Sequence, residues 1–257
     1  MEILVFIFGA VIGSFLNVCI YRLPLGLSIV RPRSYCPKCK RQILWSNNIP
    51  IVSYLVLGGR CRDCRTRIPV RYFIVEVLTA LLLAGLYLSF GFTAKFFAYS
   101  ILTCGLIAVS FIDLATYGIP DVISIGGIIA GLAFSLAYPS VFDAEGRLLS
   151  FSRSFIGAVA GSLSIYMMGL LGAAAFKKEA MGEGDIILMG AIGAFLGWKL
   201  TILAFFIAPF FGALFGLVVK AKTSQSVIPY GPFLALGAVI AIFFGENVIQ
   251  FLFYGLY

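Results

Sequence analysis

Residues 111–121 read FIDLATYGIPD and set two carboxylates, Asp113 and Asp121, between two long apolar runs. The whole chain of 257 residues carries only 11 Asp plus Glu. A charged side chain at lipid depth costs about 2.5–3.5 kcal/mol on insertion scales, so acids kept there imply a task. A third carboxylate, Asp185, ends the stretch MGEGD at 181–185, and two Cys-x2-Cys pairs supply Cys36, Cys39, Cys61 and Cys64.

Composition sets the class. The chain is 61% hydrophobic and 12% charged, against about 25% charged in soluble domains, so it reads as an all-α polytopic membrane protein. Histidine is absent. That excludes Ser-His-Asp and Cys-His systems, HExxH zinc proteases and any histidine base. Carboxylates, lysines, tyrosines and cysteines remain for acid–base work. The first residues, MEILVFIFGAVIGSFLNVC, lack the basic start of a signal peptide and are expected to form a retained first span.

About eight transmembrane helices are expected, since ~20 apolar residues cross a ~30 Å core. They fall near 2–21, 72–91, 95–112, 122–138, 154–175, 185–197, 199–219 and 229–253. The polar insertion at 22–71 holds 11 of the 19 Lys plus Arg, and its only acid is Asp63. Lys177, Lys178, Lys220 and Lys222 alternate onto the same side; Lys95, Arg147, Arg153 and Lys199 alternate onto the other. The imbalance makes the insertion cytoplasmic and both termini external. Asp113, Asp121 and Asp185 then all meet the cytoplasmic boundary, from three different helices. The basic balance follows from this topology and from attraction to anionic lipid, without nucleic acid. No internal repeat stands out. The expected organisation is a first helix at 1–21, a cytoplasmic module at 22–71 and a transmembrane core at 72–257.

Each Cys-x2-Cys forms a knuckle that aims two thiolates at one point, and two knuckles complete a tetrahedral zinc-ribbon-like site. Surrounding Lys and Arg offset the charge of a zinc tetrathiolate. Four thiolates leave no open position, so the zinc is expected to be structural. In a cytoplasmic loop, two disulfides are the weaker alternative. Cys19 and Cys104 lie in apolar spans and read as small hydrophobes.

Asp121 follows Pro120 and Asp185 follows Gly182-Glu183-Gly184, so either could cap a helix N-terminus. Gly182 and Gly184 permit close approach that a cap does not need. Asp113 closes a helix, where the macrodipole opposes negative charge. Two carboxylates sharing a site can divide the acid and base roles, and so hydrolyse a peptide bond without histidine or metal.

The ordered motifs resemble the type IV prepilin peptidases, bifunctional prepilin leader peptidase/N-methyltransferases of the GxGD aspartyl protease type. They are GSFLNVCIYRLP (13–24), the cysteine module (33–79), FIDLATYGIPD (111–121), MGEGD (181–185) and YGPFLALGA (230–238). The resemblance implies a bacterial inner-membrane enzyme that cuts the leader from type IV prepilins or type II secretion pseudopilins at the cytoplasmic boundary. It also implies N-methylation of the new terminus with S-adenosylmethionine, with the four-cysteine module at 22–71 as the methyltransferase part and 72–257 as the aspartyl peptidase core. Asp113 and Asp185 match the catalytic pair, the four cysteines match metal ligands, and Asp121, Gly182 and Gly184 match supporting positions. Ile187 departs from the lysine common two residues after the GxGD aspartate. Glu76, beside Arg71, also matches a family motif, as a buried ion pair or a ligand. No glycine-rich phosphate loop marks a methyl-donor site.

Other readings stay open at this level. A peptidase without methyltransferase activity is the nearest. An ion- or proton-coupled transporter would explain membrane-level acids but not the cysteine module. A structural assembly protein with an inactive site is a third.

Overall fold

The computed structural model describes residues 1–176, 181–222 and 228–255. Lys177 and Lys178, which enter the charge argument, lie outside the described residues. The chain forms two units, Met1–Gly91 and Phe92–Tyr257. The first contains α1 (Glu2–Arg22), the short α2 (Val52–Val56) and α3 (Arg71–Phe90). The second contains α4 (Ala94–Thr116), α5 (Asp121–Ala137), α6 (Arg147–Phe176), α7 (Glu183–Lys222) and α8 (Gly231–Tyr254). Among the described residues there is no strand, only two isolated antiparallel bridges.

Six helices among the described residues are long and apolar enough to cross a membrane, and the chain is a multi-pass membrane protein. The expected count of eight is therefore not confirmed. Helix α5 has 17 residues, about 25 Å at 1.5 Å per residue, short of a ~30 Å core. The expected sixth and seventh runs form one helical stretch, Glu183–Lys222, broken at Gly197 with φ 71° and ψ 169°. The segment before the break, 183–196, measures only about 21 Å.

The Gly197 break removes helical hydrogen bonds from carbonyls that no water can reach. Neighbouring hydroxyls take their place. Ser154 of α6 donates to the Ala194 carbonyl at 2.6 Å, and Thr201 donates to the Gly197 carbonyl at 2.6 Å.

Packing follows the rule for lipid as solvent. Large apolar side chains face outward, among them Ile3, Leu171 and Phe206. Small and polar residues line the helix contacts, including Asn17, Thr79, Ser124, Ser154 and Thr201. Lipid rewards no apolar burial between helices, so close backbone contact must hold them. Two glycine pairs spaced four apart do this. In the first unit a Cβ on Gly9 would meet the Ala80 Cα at 2.8 Å, and one on Gly13 would meet the Glu76 Cα at 2.7 Å. In the second unit Gly157 of α6 lies against the Gly193 carbonyl of α7, and Gly161 lies against the Met189 carbonyl. Gly193 in turn meets the Gly157 carbonyl.

This seam is testable. Gly193→Ala places a methyl against backbone and should destabilise the protein by about 1–3 kcal/mol or more. Gly126→Ala, on α5 with nothing within 4 Å, should be neutral or stabilising by about 1 kcal/mol. Thermal unfolding in one detergent compares them. Equal melting temperatures for the two variants would remove the seam from the account.

Candidate active site and metal centre

Asp113 and Asp185 are both buried in the second unit, at 4% and 9% exposure. Asp113 lies in the last turn of α4, which Tyr117 ends in the left-handed region at φ 55°. A carboxylate there faces the negative end of its own helix. The conflict is answered from another helix: the Gly231 N–H, at the start of α8, donates to Asp113 Oδ2 at 2.9 Å. Pro232 follows Gly231 and fits the first turn, where an N–H has no helical partner. A Cβ on Gly231 would stand 2.9 Å from Asp113 Oδ2 and 3.2 Å from Ile119 Cδ1, so a larger residue would displace the carboxylate from its N–H donor.

Asp185 sits in the first turn of α7, three residues after Gly182. The Gly182 N–H donates to its Oδ2 at 3.3 Å, as in the back-reaching half of a capping box. Asp185 is thus not the N-cap residue itself. Gly184 packs on Ile119, where a Cβ would approach within 2.9 Å. The two carboxylates stand near enough for Asp113 to repel charge on Asp185. Tyr230 also feels the charge of Asp185, and its buried hydroxyl has no hydrogen-bond partner among the described residues.

The ends of α4, α7 and α8 therefore converge on one pair of acids, with a free phenol beside them. Asp121 does not join them: it is exposed at the first position of α5, after Pro120, and makes no capping bond. Tyr230 and Gly231 were recognisable in sequence only as part of YGPF. The Gly-Pro helix start was the available signal, but nothing local ties it to Asp113, 118 residues away.

In the first unit the four cysteine sulfurs lie within 4.8 Å of one another. Cys36 Sγ and Cys64 Sγ are 3.8 Å apart, too far for a disulfide of about 2.05 Å. That separation equals the edge of a tetrahedron with ~2.3 Å metal–sulfur bonds, about 3.8 Å. The cluster can hold a metal ion.

The two knuckles are built alike, so the module contains a repeat that the sequence reading did not detect. Cys36 N–H donates to the Arg41 carbonyl and Lys40 N–H to the Cys36 carbonyl; Cys61 with Thr66 and Arg65 with Cys61 repeat the pattern. Lys40 and Arg65 take the same left-handed turn at φ 59° and 55°. The bridges Tyr35–Gln42 and Arg60–Arg67 close each loop. At Cys64 the Thr66 backbone N–H, helped by Cys61 and Cys39, holds the thiol down at about 6. At Cys39 the Arg41 backbone N–H pulls downward, but desolvation and the Cys36 and Cys64 sulfurs push the thiol up to about 11. Crowded sulfurs cannot all ionise together unless a cation joins them.

Glu76 forms no ion pair with Arg71. Its Oε2 accepts from the Ile51 N–H at 2.7 Å, and burial keeps it at 8% exposure.

Two family models match the chain. One, described as the Bacterial Peptidase A24 N-terminal domain, covers residues 7–90. The other, described as the Type IV leader peptidase family, covers residues 100–217. A prepilin leader peptidase/N-methyltransferase of Myxococcus xanthus is 39% identical over 87% of this chain and 64% of its own length. One of Pseudomonas aeruginosa is 35% identical over 94% of this chain and 90% of its own. A type 4 prepilin-like proteins leader peptide-processing enzyme of Escherichia coli is 34% identical over 95% and 94%. No solved structure matches.

Cys36→Ser removes one of four ligands from a module with little apolar core. Metal content, read by elemental analysis, should fall from about one ion per chain to near zero, while the protein still extracts from membranes as a folded species. Metal retained at full occupancy would show that the cluster is not the binding site.

Proposed function

This chain belongs to the type IV leader peptidase family, and we propose that it cleaves the leader of type IV prepilins or type II secretion pseudopilins and N-methylates the new terminus. The observation that carries this reading is the meeting of two buried carboxylates at one end of the second unit, each held by a backbone amide. Asp113 and Asp185 are the catalytic pair. Two carboxylates in one low-dielectric site share a proton. The ionised member takes a proton from water, which attacks the scissile carbonyl. The protonated member donates to the carbonyl oxygen, and the leaving amine is protonated as the tetrahedral intermediate collapses. No histidine or metal is required. Clustering of the acids at one helix end also favours hydrolysis over coupled transport, which would use acids spread through the bilayer depth.

The substrate is itself an apolar helix, so the enzyme must meet it within lipid. The 11 Lys plus Arg of the insertion at 22–71, against the single acid Asp63, support a cytoplasmic cysteine module in a bacterial inner membrane, and the family resemblance puts the site on the same side. The module holds a structural zinc, with Cys36, Cys39, Cys61 and Cys64 as its ligands; zinc would fix the two knuckles and supply no chemistry. S-adenosylmethionine supplies an electrophilic methyl group when bound. Gly182 and Gly184 serve the pair by presenting an N–H and by admitting Ile119. Asp121 is a supporting residue that acts from outside the pair, at the exposed start of α5.

Purified protein incubated with a prepilin and S-adenosylmethionine, read by mass spectrometry, tests both activities at once. Asp113→Ala and Asp185→Ala should each lower cleavage by about 10²–10⁴-fold. The double variant should fall little further, because the pair acts as one unit. Asp121→Asn should keep far more activity than Asp113→Asn. Substantial cleavage by either single alanine variant would remove that residue from the assignment.

Tyr230→Phe deletes only the unpartnered hydroxyl beside Asp185. If the phenol orders the attacking water or the carbonyl, cleavage should slow by about tenfold or more with no change in melting temperature. An unchanged rate would leave Tyr230 a packing residue.

A further inference from the structure

The first unit encloses a cavity of about 920 Å³ between α1, α3 and the cysteine module. That is near the upper end of small-molecule sites, roughly 300–1,000 Å³. Two buried polar side chains in its lining are unusual. Asn17, at 2% exposure, donates through Nδ2 to the Tyr72 carbonyl at 2.9 Å, one helical turn before Glu76. That bond fixes the amide orientation and leaves Oδ1 buried without a partner. Glu76 spends Oε2 on the Ile51 N–H, and the Ser14 hydroxyl lies beside the carboxylate. Gly13 has no Cβ, which lets the Glu76 backbone approach α1 and puts Ser14, Asn17 and Glu76 together.

Two further features mark a built site. Ile51 is β-branched yet sits at φ 63°, ψ −55°, a strained conformation held by its charge-assisted bond to Glu76. The orphaned Asn17 oxygen is a buried acceptor that costs free energy unless a donor arrives. The Glu76 carboxylate, to which the Ser14 hydroxyl donates, and the Asn17 amide oxygen form an acceptor pair, and what they suit is a cationic N–H donor. Val11, Phe15 and Val18 on α1 add an apolar wall, which suits a donor at the head of an apolar chain.

We propose that this cavity receives the α-amine of an apolar peptide's new N-terminus, gripped by Glu76 and Asn17, for methyl transfer. The proposal rests on the methyltransferase half of the function proposed above. An α-ammonium has no lone pair to offer, so it must first lose a proton, and the Glu76 carboxylate is the base at hand. The freed nitrogen then bonds to the methyl carbon of the sulfonium donor. The carbon–sulfur bond breaks, its electron pair stays on sulfur, and Glu76 returns its proton to water. Asn17 is a positioning residue that orients the amine through Oδ1.

The test uses the full-length, metal-loaded protein in detergent. The probes are a short apolar peptide with a free N-terminal Phe, its N-acetylated twin, and S-adenosylhomocysteine as a stand-in for the methyl donor. Wild type should bind the free amine about tenfold or more tightly than the acetylated peptide. Glu76→Gln, which keeps an oxygen for Ile51, and Asn17→Ala should each erase that preference, with S-adenosylhomocysteine binding unchanged. A preference that persists in both variants overturns the proposal. Loss of S-adenosylhomocysteine binding with the amine preference intact also overturns it, by assigning the acceptors to the donor's own ammonium. Metal content and melting temperature show whether each variant is folded; if Glu76→Gln fails, Asn17→Ala decides. Methylation by mass spectrometry separates the two levels. No methyl added by wild type defeats the methyltransferase reading, whereas wild-type rates in both variants defeat this site alone.

Discussion

Backbone-to-backbone approach at the glycine seams is the constraint on which the rest of this molecule depends. In lipid, helices gain nothing by hiding leucine from solvent, so contact must come from dispersion, small side chains and polar bonds. Gly9 and Gly13 bring α1 onto α3 within each unit's own frame, and Gly157 and Gly161 bring α6 onto the first part of α7. Polar side chains then sit where helices touch, and their partners are fixed by the same approach. Asn17 reaches the Tyr72 carbonyl only because Gly13 lets the two helices close. Ser162 reaches the Ile186 carbonyl at 3.1 Å across the α6–α7 seam, just past Asp185.

The carboxylates show the same economy of partners. A buried acid without donors would be untenable at lipid depth. Asp113 is drawn against its own helix dipole and is stabilised by the opening N–H of α8, while Asp185 is satisfied by its own helix start. Among the described residues neither is paired with a lysine or arginine. An ion pair would fix one protonation state, whereas single amide bonds leave lone pairs free for water and substrate. Each of the two salt bridges among the described residues has an exposed partner, as in Arg41–Asp63 at 3.1 Å, and such pairs contribute roughly 0–1 kcal/mol.

Local chemistry was legible in the sequence, and long-range geometry was not. Spacing alone identified the four sulfurs that meet, because a Cys-x2-Cys knuckle is a local shape. Apolar runs marked every long helix, and Asp113 stood out because it closes one. The count of eight crossings is left unconfirmed at α5 and Gly197, since hydropathy measures grease and not whether a helix is long enough or continuous. Asp121 looked like a cap, but Pro120 takes that position and leaves Asp121 one residue inside. Glu76 stands near Arg71 in sequence, yet its partner is Ile51 in a loop whose path no periodicity predicts. The knuckle repeat is not legible in sequence because its identity lies in backbone bonds and left-handed turns, while residues such as Lys40 and Arg65 differ in name.

The likeness of the two knuckles bears on time as well as shape. Each is a two-toothed clip whose curvature is set by its own backbone bonds before any ion arrives. An ion held by both must free itself from two sulfurs of one clip while the other still retains it. The detached clip remains tethered nearby at high effective concentration and recloses before the ion diffuses away. Exchange with free metal in solution should therefore be slow relative to loss from a single clip, and the ion taken up during synthesis should stay with the chain that captured it.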